Sequence, residues 1–200
     1  MSSGVVTQST VPRKRDPERR TKILSAAAKL FALRGYHAVS LGDIGAEAGI
    51  VGSGIYRHFD RKYSVLVALL EQAIGDLLGD AEVISARERA SHETLRELVH
   101  QQVVFCLDRK LEVQLYRQEI SALEEEDSRR LRRMQRRYNE EWIATLLELR
   151  PELDDATART TVHSAIGAIQ AVVTYDSGLP RDELIRGLDA MAQACLSASW

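Results

Sequence analysis

From Ile23 to Cys195 the apolar residues of this chain recur at spacings of three and four, and no other feature of the sequence constrains the fold as tightly. Residues three and four apart share one face of an α-helix, whereas a half-buried strand alternates at every second residue. The first run is Ile23, Leu24, Ala27, Leu30 and Phe31; Asp16 and Pro17 precede it as N-cap and first helical residue, and Gly35 stops it. A second, very short helix opens at Ser40, where Ser40 and Asp43 have capping-box spacing, and ends at Gly49. A third runs from Gly52 to Phe59 with Ile55 and Phe59 inward. Asp60 then caps a fourth through Val65, Leu66, Leu69, Leu70, Ala73 and Leu77. Later stripes pass through Leu95 to Cys106, Val113 to Leu123, Leu131 to Leu149, Val162 to Val173, and Leu184 to Cys195; Arg150-Pro151 and the turn Asp176 to Pro180 break the series. The pattern predicts an all-α fold of about nine helices with no strand.

A chain of 200 residues with 44% hydrophobic and 28% charged side chains has the composition of a soluble globular protein with a real core. It has no apolar run of about 18 residues and its N-terminus lacks a secretory h-region, so a cytoplasmic protein without membrane contact is expected. Cys106 and Cys195 fall within apolar helical patterns, and neither they nor His37, His92, His100 and His163 have zinc spacing; reduced core thiols are expected, with no metal and no cofactor. Charge is unevenly placed. Residues 1 to 62 carry 11 Lys and Arg against 5 Asp and Glu, a balance of +6, leaving 16 against 24, or −8, for residues 63 to 200. A basic front on an acidic body suits a polyanionic partner at the N-terminal end.

The stretch Gly49 to Lys62, GIVGSGIYRHFDRK, would suit a phosphate cradle, but the residues before it read as helix rather than strand and no GK[ST] follows. Two short helices joined at Gly49 and flanked by longer ones instead form a helix-turn-helix, whose second helix enters a DNA major groove. Gly49 permits the tight turn, and Gly52, Ser53 and Gly54 are small enough for close approach to the groove. Tyr56 and Lys62 are placed to donate to backbone phosphates, and Ser40 is expected to add a contact at the start of the preceding helix. The expected division is a disordered basic tail over 1–15 ending in Arg13, Lys14 and Arg15, a DNA-binding domain over 16–62, and a helical effector-binding and dimerisation domain over 63–200.

At these residues the chain resembles the tetracycline-repressor (TetR) family of bacterial regulators. The likeness covers residues 18 to 78: an Arg-rich first helix ending in F-A-L-R-G-Y (Phe31 to Tyr36), then V-S-L-x-D-I-G-A-E-A-G-I (Val39 to Ile50), then G-I-Y-R-H-F-D-R-K (Gly54 to Lys62). By resemblance Ser40, Tyr56, His58 and Lys62 fall where family members contact DNA, and Gly52, Ser53, Gly54 and Arg57 fall on the groove-facing surface. Val51 departs from the Ser or Thr that often opens the recognition helix. The family implies a homodimer whose C-terminal domain binds a small molecule that changes the spacing of its DNA-reading heads, hence a transcriptional repressor on double-stranded DNA. A twofold dimer on a palindromic operator is also the physical expectation, because one recognition helix reads too few bases.

For the dimer interface the last two helices are expected to use Val162, Ala165, Ile166, Ile169, Leu184 and Leu188, beside the small residues Gly167, Ala168, Ala171, Gly187, Ala190 and Ala194; the alternative is packing within one subunit. Tyr116, Met134, Tyr138 and Trp142 are candidates for an effector cavity, although such spacing also suits plain core. Between Arg129 and Arg137 stand six arginines, more than the pairs Glu125–Arg129 and Glu126–Arg130 neutralise. A charge-laced solvated face accounts for much of this run. An anionic, acyl-CoA-like effector, with phosphates on the arginines and acyl chain in the cavity, is the sharper reading. Two other classes compete with a ligand-responsive regulator: an architectural or non-specific DNA-binding protein without effector, and a helical enzyme, for which no G-x-S-x-G, H-E-x-x-H, C-x-x-C or assigned carboxylate pair is present.

Overall fold

The computed structural model describes residues 17–50 and 52–199; Asp16, the basic cluster Arg13 to Arg15 with the rest of the expected tail, and Val51 lie outside the described residues. The chain divides into two compact units that meet between Lys62 and Tyr63. The first holds α1 (Pro17–Arg34), α2 (Leu41–Glu47) and a 3₁₀-helix (Gly52–Arg57). The second holds α3 (Lys62–Ser85, whose first residue closes the first unit), α4 (Ser91–Asp108), α5 (Lys110–Glu119), α6 (Glu125–Leu149), α7 (Asp155–Gln170) and α8 (Arg181–Leu196), with a short 3₁₀ extension of α7 over Ala171–Thr174. Among the described residues there is no strand, and no helix is long and apolar enough to cross a membrane.

The local reasons for the first unit are readable residue by residue. Ile23, Leu24, Ala27, Leu30 and Phe31 form the buried stripe of α1, and the N–H of Gly35 closes its end on the carbonyl of Phe31 at 2.8 Å. The capping box at α2 is complete: the Asp43 N–H donates to Ser40 Oγ at 3.1 Å, and the Ser40 N–H donates to Asp43 Oδ2 at 2.8 Å. Gly49, at φ +68°, then takes the left-handed conformation that the turn after α2 requires.

In the second unit α7 and α8 pack along one another, α4 lies against α6, α7 and α8, and α6 lies against α7. Trp142 is fully buried at the centre, edge-on to Tyr138 at 6.2 Å between ring centroids, with Leu98, Val99, Leu146 and Ile169 around them in one apolar cluster. The stripe expected to run from Val113 to Leu123 breaks earlier, because α5 ends at Glu119 and Leu123 is buried from a turn. The cause lies just downstream: Glu125, Glu126 and Asp127 fill the first turn of α6, where the helix dipole favours negative charge and a fresh helix starts. Val173 likewise leaves the α-helix for its 3₁₀ extension, where the Gln114 amide donates to its carbonyl.

Candidate DNA-reading head and effector cavity

The segment expected to be a recognition helix from Gly52 to Phe59 is a 3₁₀-helix over Gly52–Arg57, with two glycines in its first three residues. Glycine is a poor α-former, and three residues per turn stack side chains three apart. Ser53 therefore lies under Tyr56 and Gly54 under Arg57, all but Gly54 exposed, while Ile55 is buried and His58 is half-buried beyond it. Tyr56 is 60% exposed, which suits a contact outside the protein. Gly52 has φ +62°, a conformation that a side chain would strain. At Gly54 the constraint is steric, since a Cβ there would come within 2.8 Å of Ile50 Cγ2. Its smallness is thus already demanded by packing inside the head, apart from any groove.

Two expected phosphate donors are engaged within the head. The Lys62 ammonium donates to the carbonyls of Tyr36 at 2.7 Å and His37 at 3.2 Å and sits 4.4 Å from the centroid of the Tyr36 ring. One of its three N–H donors remains for an outside acceptor. The Ser40 hydroxyl donates to Asp43 Oδ2 at 2.6 Å within the capping box, the same hydroxyl that is expected to meet a phosphate. Hydrogen bonds from the Ser40 side chain and backbone hold the Asp43 carboxyl below the usual aspartate range.

In the second unit a partly open cavity of about 50 Å³ lies among α3 to α7, lined by Leu70, Ala73, Ile74, Leu77, Phe105, Val113 and Ile166 and by the polar residues Gln102, Glu112, Tyr116, Gln135, Tyr138, Asn139 and Gln170. Of the four residues expected there, Tyr116 and Tyr138 line it; Met134 and Trp142 do not. Trp142 is wholly consumed by the core, and Met134 packs toward Gly75 of α3. The polar lining was missed, although Gln102 and Asn139 interrupt apolar stripes in a way that marks them. The Tyr138 hydroxyl donates to Gln102 Oε1 at 2.6 Å, and Gln102 Nε2 donates to Cys106 Sγ at 3.1 Å. Burial drives the Tyr138 hydroxyl well above the ordinary tyrosine range, so it stays protonated, and pushes the Cys106 thiol up to about 11. Arg109 Nε donates to Glu112 Oε1 at 2.7 Å.

The wall between α5 and α6 is closed by the Tyr116 hydroxyl, which donates to Gln135 Oε1. Beside it the arginine run sorts into two faces. Arg130 pairs with Glu71 and Asp127, and Arg137 with Glu82, which satisfies the side toward α3. Arg129 pairs with Glu125, but Arg132, Arg133 and Arg136 on the same face have no carboxylate partner among the described residues. Burial raises the Tyr116 pKa and the positive charges of Arg132 and Arg136 counter that rise; on α6 the two arginines stand three residues before and one residue after the lining Gln135.

The expected dimer residues require correction. Val162, Ala165, Ile166, Ile169 and Leu188 are buried in the protomer's own core and Leu184 is half-buried against it, because α7 and α8 turn their branched residues toward each other and toward α4. The outward face carries the smaller residues Ser164, Gly167, Ala171, Ala190 and Ala194, with Met191 54% exposed among them.

A head of α1, α2 and a 3₁₀-helix with an exposed tyrosine and arginine, in a chain whose second unit carries a part-polar cavity, defines a helix-turn-helix regulator as the class of protein. Residues 23–69 match the family described as bacterial regulatory proteins, tetR family, and residues 88–174 match the tetracyclin repressor-like C-terminal domain, together two thirds of the chain. The chain belongs to the TetR family. It is 42% identical over 81 residues to the HTH-type transcriptional repressor KstR2 of Rhodococcus jostii (strain RHA1), a match that spans 40% of each protein. With the repressor of the same name from Mycolicibacterium smegmatis (strain ATCC 700084 / mc(2)155) identity is 29% over 145 residues, 68% of this chain and 70% of that one. The fold also matches a transcriptional regulator FadR from Bacillus subtilis in complex with stearoyl-CoA, with TM-score 0.73 and 18% identity over 90% of this chain and 99% of that one; this likeness is one of fold.

Proposed function

We propose that the chain is a cytoplasmic transcriptional repressor that binds a palindromic operator as a homodimer and leaves it when an amphiphilic, anionic effector such as an acyl-CoA enters the second unit. Ser53, Tyr56 and Arg57 form the outward ridge of the head, with Gly52, Gly54 and His58 between them and Lys62 giving its remaining N–H to a phosphate. The outward small-residue face of α7 and α8, Gly167 and Ala171 with Ala190 and Ala194, allows the close helix approach of a twofold four-helix contact.

The observation that carries the effector reading is the juxtaposition of Arg132 and Arg136, which lack carboxylate partners, with the Tyr116–Gln135 wall of the cavity. Phosphates outside that wall would meet guanidinium donors while an apolar chain passes between α5 and α6. The cavity of about 50 Å³ is smaller than the ~150 Å³ that holds a benzene ring, so a long chain must displace its walls. An effector that binds only the opened arrangement shifts the protein toward that arrangement by its differential affinity. That the relatives include repressors called KstR2 and a regulator of the same fold in complex with stearoyl-CoA supports this reading. The test is operator release by dodecanoyl-CoA in a mobility-shift assay with the wild type and with Arg132→Ala/Arg136→Ala. At least a tenfold higher concentration is expected for the double variant; equal concentrations would remove the arginines from the site.

A further inference from the structure

One residue of the cavity is poorly accounted for by a plain hydrocarbon guest. Asn139 lines the cavity from α6, is only 7% exposed, and its side-chain amide makes no hydrogen bond among the described residues. Having no protein partner and not being sealed off, the Asn139 amide keeps access to solvent-sized space, and a guest that covered it without a hydrogen bond would incur its desolvation cost. Gln170, at the end of α7, lines the same cavity and is likewise without a side-chain hydrogen bond among the described residues. Gln102 is used at both ends by Tyr138 and Cys106, and Gln135 uses its Oε1 to accept from Tyr116, so Asn139 and Gln170 are the lining amides with both ends open. The lining holds no uncommitted cation. Arg109, which pairs with the lining residue Glu112 at 2.7 Å, also serves Asp76 at 3.3 Å, and Glu112 itself would repel a carboxylate.

Resting on the effector reading above, we infer that the apolar part of the effector carries an uncharged oxygen function, a hydroxyl or a carbonyl, that hydrogen-bonds to Asn139 inside the cavity. An amide offers both two N–H donors and a carbonyl acceptor, so it fits either group. A saturated chain would cover that amide with hydrocarbon and leave it unpaired, whereas an oxygen at the matching depth satisfies it. Sites built to pair a ligand hydroxyl discriminate strongly against the analogue that lacks it, for the same reason.

The experiment is a factorial binding measurement by isothermal calorimetry on the full chain. Dodecanoyl-CoA is compared with its β-hydroxy, mid-chain hydroxy and ω-hydroxy counterparts, and the same four chains are presented as uncharged methyl esters. The wild type is expected to bind at least one hydroxylated member about tenfold or more tightly than the plain chain carrying the same head. In Asn139→Leu, which replaces the amide with a side chain of similar size, that preference disappears while the plain chain binds as well or better. Thermal unfolding at or above the wild-type temperature shows that the variant folds. Equal affinity for plain and hydroxylated chains in the wild type, or an undiminished preference in Asn139→Leu, overturns the inference. Equal affinity for thioesters and methyl esters overturns the anionic effector reading and leaves the oxygen preference standing or falling on its own comparison. Absence of binding by all eight compounds overturns both.

Discussion

Replacing Lys62 separates two roles that one side chain is asked to fill. Its ammonium makes a 2.7 Å and a 3.2 Å hydrogen bond to the carbonyls of Tyr36 and His37 and lies 4.4 Å from the Tyr36 ring centroid. A charge-assisted hydrogen bond contributes about 1.5–3 kcal/mol and an exposed cation–π contact about 0.5–1 kcal/mol. Lys62 is only half-buried, so the low ends apply and the longer bond adds little. Loss of all three in Lys62→Ala is therefore worth about 2 kcal/mol. If the whole chain unfolds cooperatively, that lowers Tm by about 4–8 °C. Lys62→Gln keeps an uncharged donor for Tyr36 and should recover much of the Tm. On DNA the two substitutions should behave alike: each removes one phosphate neutralisation, and the slope of log affinity against log salt falls by about 0.9. Calorimetric unfolding and fluorescence-anisotropy titrations at several salt concentrations read the two effects separately. An unchanged Tm in Lys62→Ala refutes the packing role, and an unchanged salt slope in Lys62→Gln refutes the phosphate role.

Three further outcomes follow from the geometry. Gly54→Ala places a methyl 2.8 Å from Ile50 Cγ2 and should destabilise the protein by about 1–3 kcal/mol in denaturant titration, with Ile50→Ala in the same chain restoring part of the loss; additive effects would show that the clash is not the cause. Asp43 has its folded-state pKa depressed by Ser40, so this contribution to stability is full above the unfolded aspartate value of about 4 and is lost as pH falls through the lower folded value; Ser40→Ala should flatten that acid limb in unfolding measured from pH ~5 down to pH ~2. Tyr63 behaves oppositely. Its hydroxyl donates to Asp127 Oδ2 at 2.8 Å and accepts the Glu124 N–H at 2.8 Å, and burial followed by the Asp127 bond raises its pKa to about 12. Its stabilisation is present below the unfolded tyrosine value of about 10 and is lost as pH rises toward the folded value, so Tyr63→Phe should show a shallower alkaline loss than the wild type.

Helix positions were legible because nearly every one has a local cause: the Ser40–Asp43 box, Gly35 and Gly49 as stops, Pro151 after α6, and apolar stripes that persist for three turns or more. What the stripes could not tell is where one helix yields to the next when apolar residues continue through the break, as between Ile120 and Leu123, since a turn can bury Leu123 as well as a helix can. The site was partly legible. Tyr56 and Arg57 are exposed, as a groove-facing motif requires, but the 3₁₀ winding of their segment and the commitment of the Ser40 hydroxyl depend on distances that spacing alone does not give. The dimer expectation erred for a physical reason: branched residues at helical spacing mark the face that is buried first, and in α7 and α8 that face turns into the protomer. For the cavity the informative residues were the polar interruptions of apolar stripes, Gln102 and Asn139, rather than the large aromatics, of which Trp142 only fills the core.

Genomic footprinting of the purified protein at about 0.15 M salt, where phosphate attraction is screened enough for sequence preference to emerge, distinguishes a sequence-specific regulator from a general DNA coat. One or a few palindromic promoter sites are expected to be protected with twofold symmetry, at a specificity ratio of about 10³ or more over random DNA. Diffuse protection without a shared sequence would contradict a sequence-specific regulator and favour an architectural DNA-binding protein.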